Sequence, residues 1–172
     1  MKKTFKMIGM VLLTMLLTFG ATSCGDDNDP ENPAVGTWTG TNNVTVAGQF
    51  TYEVSLTPVI TENADGTLTL RVPAYAIPDT QMGNLSLGEV TIAGIAYDDA
   101  KKAYYRNYGK DGMKMNFKAE KGGHEMFNDS YPFTENSEVT ISVANGTLTV
   151  INSFQLGAMP FPIVSTFTGK KQ

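Results

Sequence analysis

Apolar and polar residues alternate with a period of two along most of this chain, which is the pattern of strands with one buried face. Trp38, Gly40, Val44 and Val46 share one parity, and Thr37, Thr39, Thr41 and Thr45 share the other. After a turn at Ala47-Gly48-Gln49, Phe50, Tyr52, Val54 and Leu56 alternate with Thr51, Glu53, Ser55 and Thr57, so the two runs predict an antiparallel hairpin. Asp65-Gly66 is a hairpin signal ahead of Leu68, Leu70 and Val72. Pro73 stops regular pairing, and Ala74 to Gly83 is expected to be an irregular rim loop or lid. Leu85 and Leu87 are followed by Val90 and Ile92 in the opposite parity, which places a bulge at Gly88-Glu89.

Asp98 to Lys102 reads as a polar turn. Tyr104–Tyr108 and Met113–Ala119 flank Gly109-Lys110-Asp111-Gly112 and are expected to form a further hairpin. Lys121 to Pro132, which holds the lone histidine His124, is a second irregular stretch. Val139, Ile141 and Val143 lead into Asn145-Gly146, a type I′ turn signal, and Leu148, Val150, Asn152 and Phe154 return from it. Leu156 to Pro162 is a third break before Ile163, Ser165 and Phe167. No long apolar pattern of helical period appears. Eight or nine short strands joined by turns predict an all-β fold, a barrel or sandwich, and a barrel also removes exposed sheet edges.

The first 33 residues follow a different pattern. Lys2, Lys3 and Lys6 precede the apolar run Met7 to Phe19, and small residues follow, the layout of a secretory signal peptide. The run is too short to span a bilayer comfortably as a helix. Cys24, the one cysteine, stands directly after Ala21-Thr22-Ser23, where it resembles a bacterial lipobox thiol that receives a diacylglycerol. A single cysteine excludes an internal disulfide. Gly25-Asp26-Asp27-Asn28-Asp29 and the polar residues through Pro33 are expected to be a solvated tether. The domain reading is therefore a signal peptide over 1–23, a lipidated cysteine and acidic tether over 24–33, and one β-domain over 34–172.

Charge narrows the function. Of 13 basic residues, three fall in the leader, so the remainder carries 10 against 17 acidic residues, a net charge of −7. That balance argues against nucleic acid as a partner. Lys101, Lys102, Arg106, Lys110, Lys114, Lys118 and Lys121 cluster in sequence around Tyr104, Tyr105 and Tyr108. They read either as a patch for anionic headgroups or acidic glycans or as a solvated lysine face that discourages edge pairing.

Nucleophilic triads and His-based metal sites need partners that one loop histidine does not supply, so neither an enzyme, a metal nor a cofactor is expected. Glu53, Glu89 and Glu138 fall among strand residues; Glu53 and Glu138 take the polar parity and read as outer-face groups. Tyr52, Met113, Met115, Phe117, Phe127, Phe154, Met159, Phe161 and Phe167 either fill the core or line an apolar cavity.

Gly36-Thr37-Trp38 at the head of the first strand resembles the Gly-x-Trp of lipocalins and other calycins. In order, Val35-Gly36-Thr37-Trp38-Thr39-Gly40, Thr67-Leu68-Thr69-Leu70, Leu87-Gly88-Glu89-Val90, Gly146-Thr147-Leu148-Thr149 and Gly157-Ala158-Met159-Pro160 followed by Thr166-Phe167-Thr168-Gly169 make the chain similar to calycin-like β-barrel lipoproteins of Bacteroidetes. The resemblance implies a single antiparallel calycin-like barrel of about eight strands, with Gly36, Trp38 and Lys170 closing one end. It also implies export to the outer membrane, with the acidic run after Cys24 pointing to the cell surface and the periplasmic face as the alternative. The partners it implies are the membrane, through Cys24, and a small hydrophobic ligand. The competing reading is a non-catalytic module that recognises a protein or glycan through its outer surface. Neither reading sets an oligomeric state.

Overall fold

The computed structural model describes residues 31–157 and 161–172, which form one unit from Glu31 to Gln172. Among the described residues are thirteen strands: β1 (Gly36–Val46), β2 (Phe50–Leu56), β3 (Val59–Glu62), β4 (Leu68–Val72), β5 (Tyr75–Thr80), β6 (Gly83–Leu87), β7 (Val90–Asp98), β8 (Ala103–Asn107), β9 (Lys114–Lys121), β10 (His124–Pro132), β11 (Glu138–Ala144), β12 (Thr147–Phe154) and β13 (Ile163–Lys171). Eight of them close a ring in the order β1, β3, β4, β7, β8, β11, β12, β13. The last ladder shuts it: β13 pairs antiparallel with β1 from Trp38↔Lys171 to Val46↔Ile163. The expected antiparallel barrel of about eight strands is the observed fold.

The larger strand number comes from breaks within long wall strands. β2 and β3 are one strand interrupted at Thr57-Pro58, and β4 and β5 one interrupted at Pro73-Ala74, since proline has no N–H to give a ladder. Gly88-Glu89 separates β6 from β7, where Arg71 reaches Glu89 at 2.5 Å. The expected parity slip is therefore a strand break. β5, β6, β9 and β10 form a four-stranded sheet in the order β10-β9-β6-β5, which repeats the order β11-β8-β7-β4 of their continuations in the ring. It is a second storey of the same wall.

Three expectations are corrected. Tyr104–Tyr108 and Met113–Ala119 are not a hairpin: β8 pairs with β7 and β11, while β9 pairs with β6 and β10. The Gly109–Gly112 segment jogs the strand instead of reversing it, held by Tyr108 N–H and Gly109 N–H on the Ser137 carbonyl. A glycine-bounded polar turn serves a jog or a reversal equally, and long-range pairing decides between them. Ala74 to Gly83 is the β5–β6 hairpin, not a loop. It accepts Pro78 because the ladder shifts register between Ile77 and Thr80, with Asp79 at φ 55°. Lys121 to Pro132 is largely β10, whose residues from His124 to Ser130 are exposed on both faces. A strand that buries neither face has no alternation to read.

The other turns are as the sequence predicts. Asn145 and Gly146 both have positive φ, 51° and 67°, as a type I′ turn demands. Inward residues of seven of the eight ring strands join one buried cluster that includes Trp38, Val44, Ile60, Leu70, Ile92, Ile141, Leu148 and Phe167, and Tyr104 of β8 packs against it. Gly40 faces Gly169 across the β1–β13 ladder, and a Cβ there would stand 2.1 Å from the Thr168 carbonyl oxygen.

Candidate ligand site at the barrel end

The inward parity of β1 runs from Trp38 at one end of the barrel to Val46 at the other. Eight residues at about 3.3 Å each separate them by roughly 26 Å. At the Val46 end the β1–β2 turn, the β5–β6 hairpin and the residues before β13 surround an apolar cavity of about 120 Å³. Its walls are Val46, Ala47, Phe50 and Tyr52 on one side, Thr80, Gln81, Met82 and Leu85 on another, and Phe161. The hairpin tip is held by Thr80 Oγ1, which donates to the Gly83 carbonyl at 2.6 Å and accepts from Met82 N–H at 3.1 Å. Lys121 Nζ donates to the Gln81 carbonyl at 2.9 Å, which brings a cation to the rim.

The wall has a seam below this mouth. β2 ends one sheet and β5 ends the other, and among the described residues no ladder joins them. A solvent-open cleft of about 550 Å³ runs along the seam, lined by Val54 to Thr57, Pro73 to Ala76 and Thr39. Its hydroxyls and its openness make it a mixed polar groove, whereas the mouth cavity is walled mostly by carbon.

The interior between the two ends is packed, and it carries a polar layer. Ser165 Oγ donates to Asn42 Oδ1 at 2.7 Å, and the Tyr108 hydroxyl donates to Asn152 Oδ1 at 2.7 Å. Burial pushes the Tyr75 hydroxyl up to about 12, against the pull of the Ser165 and Asn42 side chains beside it. Burial drives the Tyr108 hydroxyl higher still, opposed by its bond to Asn152. Sequence reasoning missed this layer, although Asn152 and Ser165 stand in apolar parity on their strands.

The residues singled out from the sequence divide between these regions. Tyr52 and Phe161 line the mouth cavity. Phe167 lines a separate, small interior cavity. Met115, Phe117 and Phe154 are buried in the core, and Met113 packs against it. Phe127 is exposed on β10 and lies 6.4 Å from the Phe117 ring. Cys24 and Met159 lie outside the described residues. Trp38 is buried and donates its indole N–H to the Ala34 carbonyl at 3.0 Å. The lysine that packs over Gly36 is Lys171, whose Cε would be 2.6 Å from a Cβ at that position. Lys170 turns instead to Thr147 Oγ1.

The basic cluster is dispersed and mostly partnered. Arg106 meets Asp111 at 2.6 Å, Lys118 meets Glu120 and Glu125 at 3.1 and 3.4 Å, and Lys101 Nζ sits 4.4 Å above the Tyr105 ring. Tyr108 is wholly buried, so it cannot stack on a surface sugar. Glu53 is exposed, Glu138 accepts from the Tyr105 hydroxyl at 2.7 Å, and His124 is exposed at the start of β10. Among the described residues no three His, Cys, Asp or Glu side chains converge on a metal-sized site.

Comparison with known proteins agrees with this architecture. The family model described as a calycin-like beta-barrel domain matches residues 35–170. A crystal structure of a "putative outer membrane protein" from Bacteroides fragilis is similar at a TM-score of 0.51 and 21% identity, over 81% of this chain. The chain spans about half the length of that protein, 51% of it. A search of curated proteins found no match.

Proposed function

The chain belongs to the calycin-like β-barrel domain family, and from that premise we propose that it is a lipid-anchored outer-membrane lipoprotein that binds a small apolar or amphipathic ligand at the mouth of its barrel. The observation that carries the binding reading is the carbon-walled cavity between Val46, Phe50, Tyr52, Met82, Leu85 and Phe161. At about 120 Å³ it is near the size of an engineered cavity that takes benzene and well below the 300 Å³ or more that encloses a drug-sized molecule. The ligand therefore inserts one ring or a short branched chain and leaves its remainder at the rim, where Thr80 and Gln81 offer polar contacts. The anchoring reading rests on Cys24 and the acidic residues after it, and the likeness to an outer-membrane protein supports the compartment. Two acyl chains on that cysteine suffice for stable attachment.

A second reading, a non-catalytic module that meets a protein or glycan, draws support from β10, which exposes Met126 and Phe127 on a strand laddered to β9 alone among the described residues.

Native mass spectrometry of the purified protein before and after organic extraction separates the two. A discrete adduct removed by extraction, and regained with single-ring or short-acyl compounds by the unmodified chain but not by Met82→Trp, is the expected result. Equal uptake by the unmodified chain and Met82→Trp would overturn the mouth site. The reporter should be mass or thermal stability, because Trp38 lies at the opposite end of the barrel from the cavity.

A further inference from the structure

We propose that the interior polar layer is a second binding site, for a single water molecule held between Asn42, Asn152 and Ser165. These three residues and the apolar side chains of Leu56, Leu70 and Val150 line an interior cavity of about 10 Å³, the space one water occupies. Asn42 is fully buried, and its Nδ2 has no hydrogen-bond partner among the described residues. Its other end is engaged, because Oδ1 accepts from Ser165 Oγ at 2.7 Å. Turning the amide over would bring Nδ2 to Ser165 and the carbonyl oxygen to the other side, where the Tyr75 hydroxyl lies beside Asn42 and Ser165 as a further member of the layer. In the orientation observed, the amide nitrogen is the end left for a solvent molecule.

The surroundings supply the remaining contacts. Asn152 and Ser165 are ladder partners on β12 and β13, so their side chains emerge side by side into the interior. Asn152 Oδ1 already accepts from the Tyr108 hydroxyl and keeps a second lone pair. A water accepting from Asn42 Nδ2 and donating to Asn152 Oδ1 or Ser165 Oγ makes the two or more bonds that buried waters usually make. It joins two separate pairs, Ser165–Asn42 and Tyr108–Asn152, into one network across the barrel. The cavity is too small for any organic group, which distinguishes it from the mouth.

A crystal structure of the purified protein that resolves ordered solvent should show one peak within hydrogen-bond distance of both Asn42 and one of the other two side chains. Oxygen-17 relaxation dispersion should report about one long-lived water there, lost in Asn42→Leu, which removes the amide. Ser165→Val, which fills the same space, is the second variant should the first not fold. An empty cavity, a protein acceptor bonded to Nδ2, or a long-lived water unchanged in a folded variant would overturn the site.

Discussion

Tyr108 and Asn152 are 44 positions apart and meet inside the barrel, where the Tyr108 hydroxyl donates to Asn152 Oδ1 at 2.7 Å. Tyr108 follows β8 at the strand jog, and Asn152 lies on β12. The bond spans β11, the strand between them in the ring. Tyr108→Phe leaves the buried Asn152 carbonyl short of a donor and should cost about 1–3 kcal/mol in urea unfolding. The double variant Tyr108→Phe, Asn152→Leu should lose less than the sum of the two single variants, because it removes both polar groups together. Strict additivity would show that the bond contributes nothing specific.

Alkaline pH should destabilise the fold through the buried tyrosines. Tyr75 is raised to about 12 from an ordinary value near 10, and Tyr108 is raised further, both by burial. The native state thus holds protons that the unfolded chain has released. The stabilisation from each hydroxyl is complete below about pH 10 and is lost as pH rises through the native value, at up to about 1.4 kcal/mol per pH unit per group. Tyrosinate absorbance from Tyr75 and Tyr108 should appear only well above pH 10, together with loss of near-ultraviolet circular dichroism. Full tyrosine ionisation near pH 10 in folded protein would contradict this.

The β1–β13 closure has no room at Gly40. Gly40→Ala places a methyl carbon 2.1 Å from the Thr168 carbonyl oxygen and 2.5 Å from Gly169 Cα, both backbone atoms that cannot turn aside. The expected cost is about 3 kcal/mol, read as a lowered urea midpoint. Gly66→Ala, at a turn where nothing lies within 4 Å of the new carbon, is the comparison; it carries only the backbone strain of φ 78°, about 1–2 kcal/mol.

Enlarging the mouth cavity should retune it. Leu85 is buried against the cavity, so Leu85→Ala should cost about 2–5 kcal/mol of stability. The same variant should bind bulkier apolar groups than the unmodified protein in a thermal-shift series. An unchanged size preference would mean that ligands do not enter beside Leu85.

Attachment to the membrane is tested at one atom. Cys24→Ala should abolish incorporation of labelled fatty acid and release the protein from the membrane fraction. Continued labelling would overturn Cys24 as the attachment site.

The alternating apolar parity of Trp38–Val46 and Phe50–Leu56, the Asp65-Gly66 and Asn145-Gly146 turns, and the all-β class follow from sequence alone. These signals are local: side chains two apart share a face, and a type I′ turn needs residues that tolerate positive φ. Candidate site residues were only partly legible. Tyr52 and Phe161 could be picked out as apolar, but so could Met115, Phe117 and Phe154, which fill the core. Apolar character is the same for a cavity wall and a packed interior, and only the position along the barrel axis separates them.

Tertiary structure alone decided that Gly109–Gly112 continues a strand, that β10 pairs although it buries neither face, and that Tyr108 turns inward. In each case partners distant in the chain made the choice: Ser137 for the jog, β9 for β10, and Asn152 for the Tyr108 hydroxyl. Local sequence determined which segments can be strands and where the chain can turn. Closure of β13 onto β1 determined which inward positions met empty space, a polar partner or another methyl group, because burial is a property of the closed ring and not of any one strand.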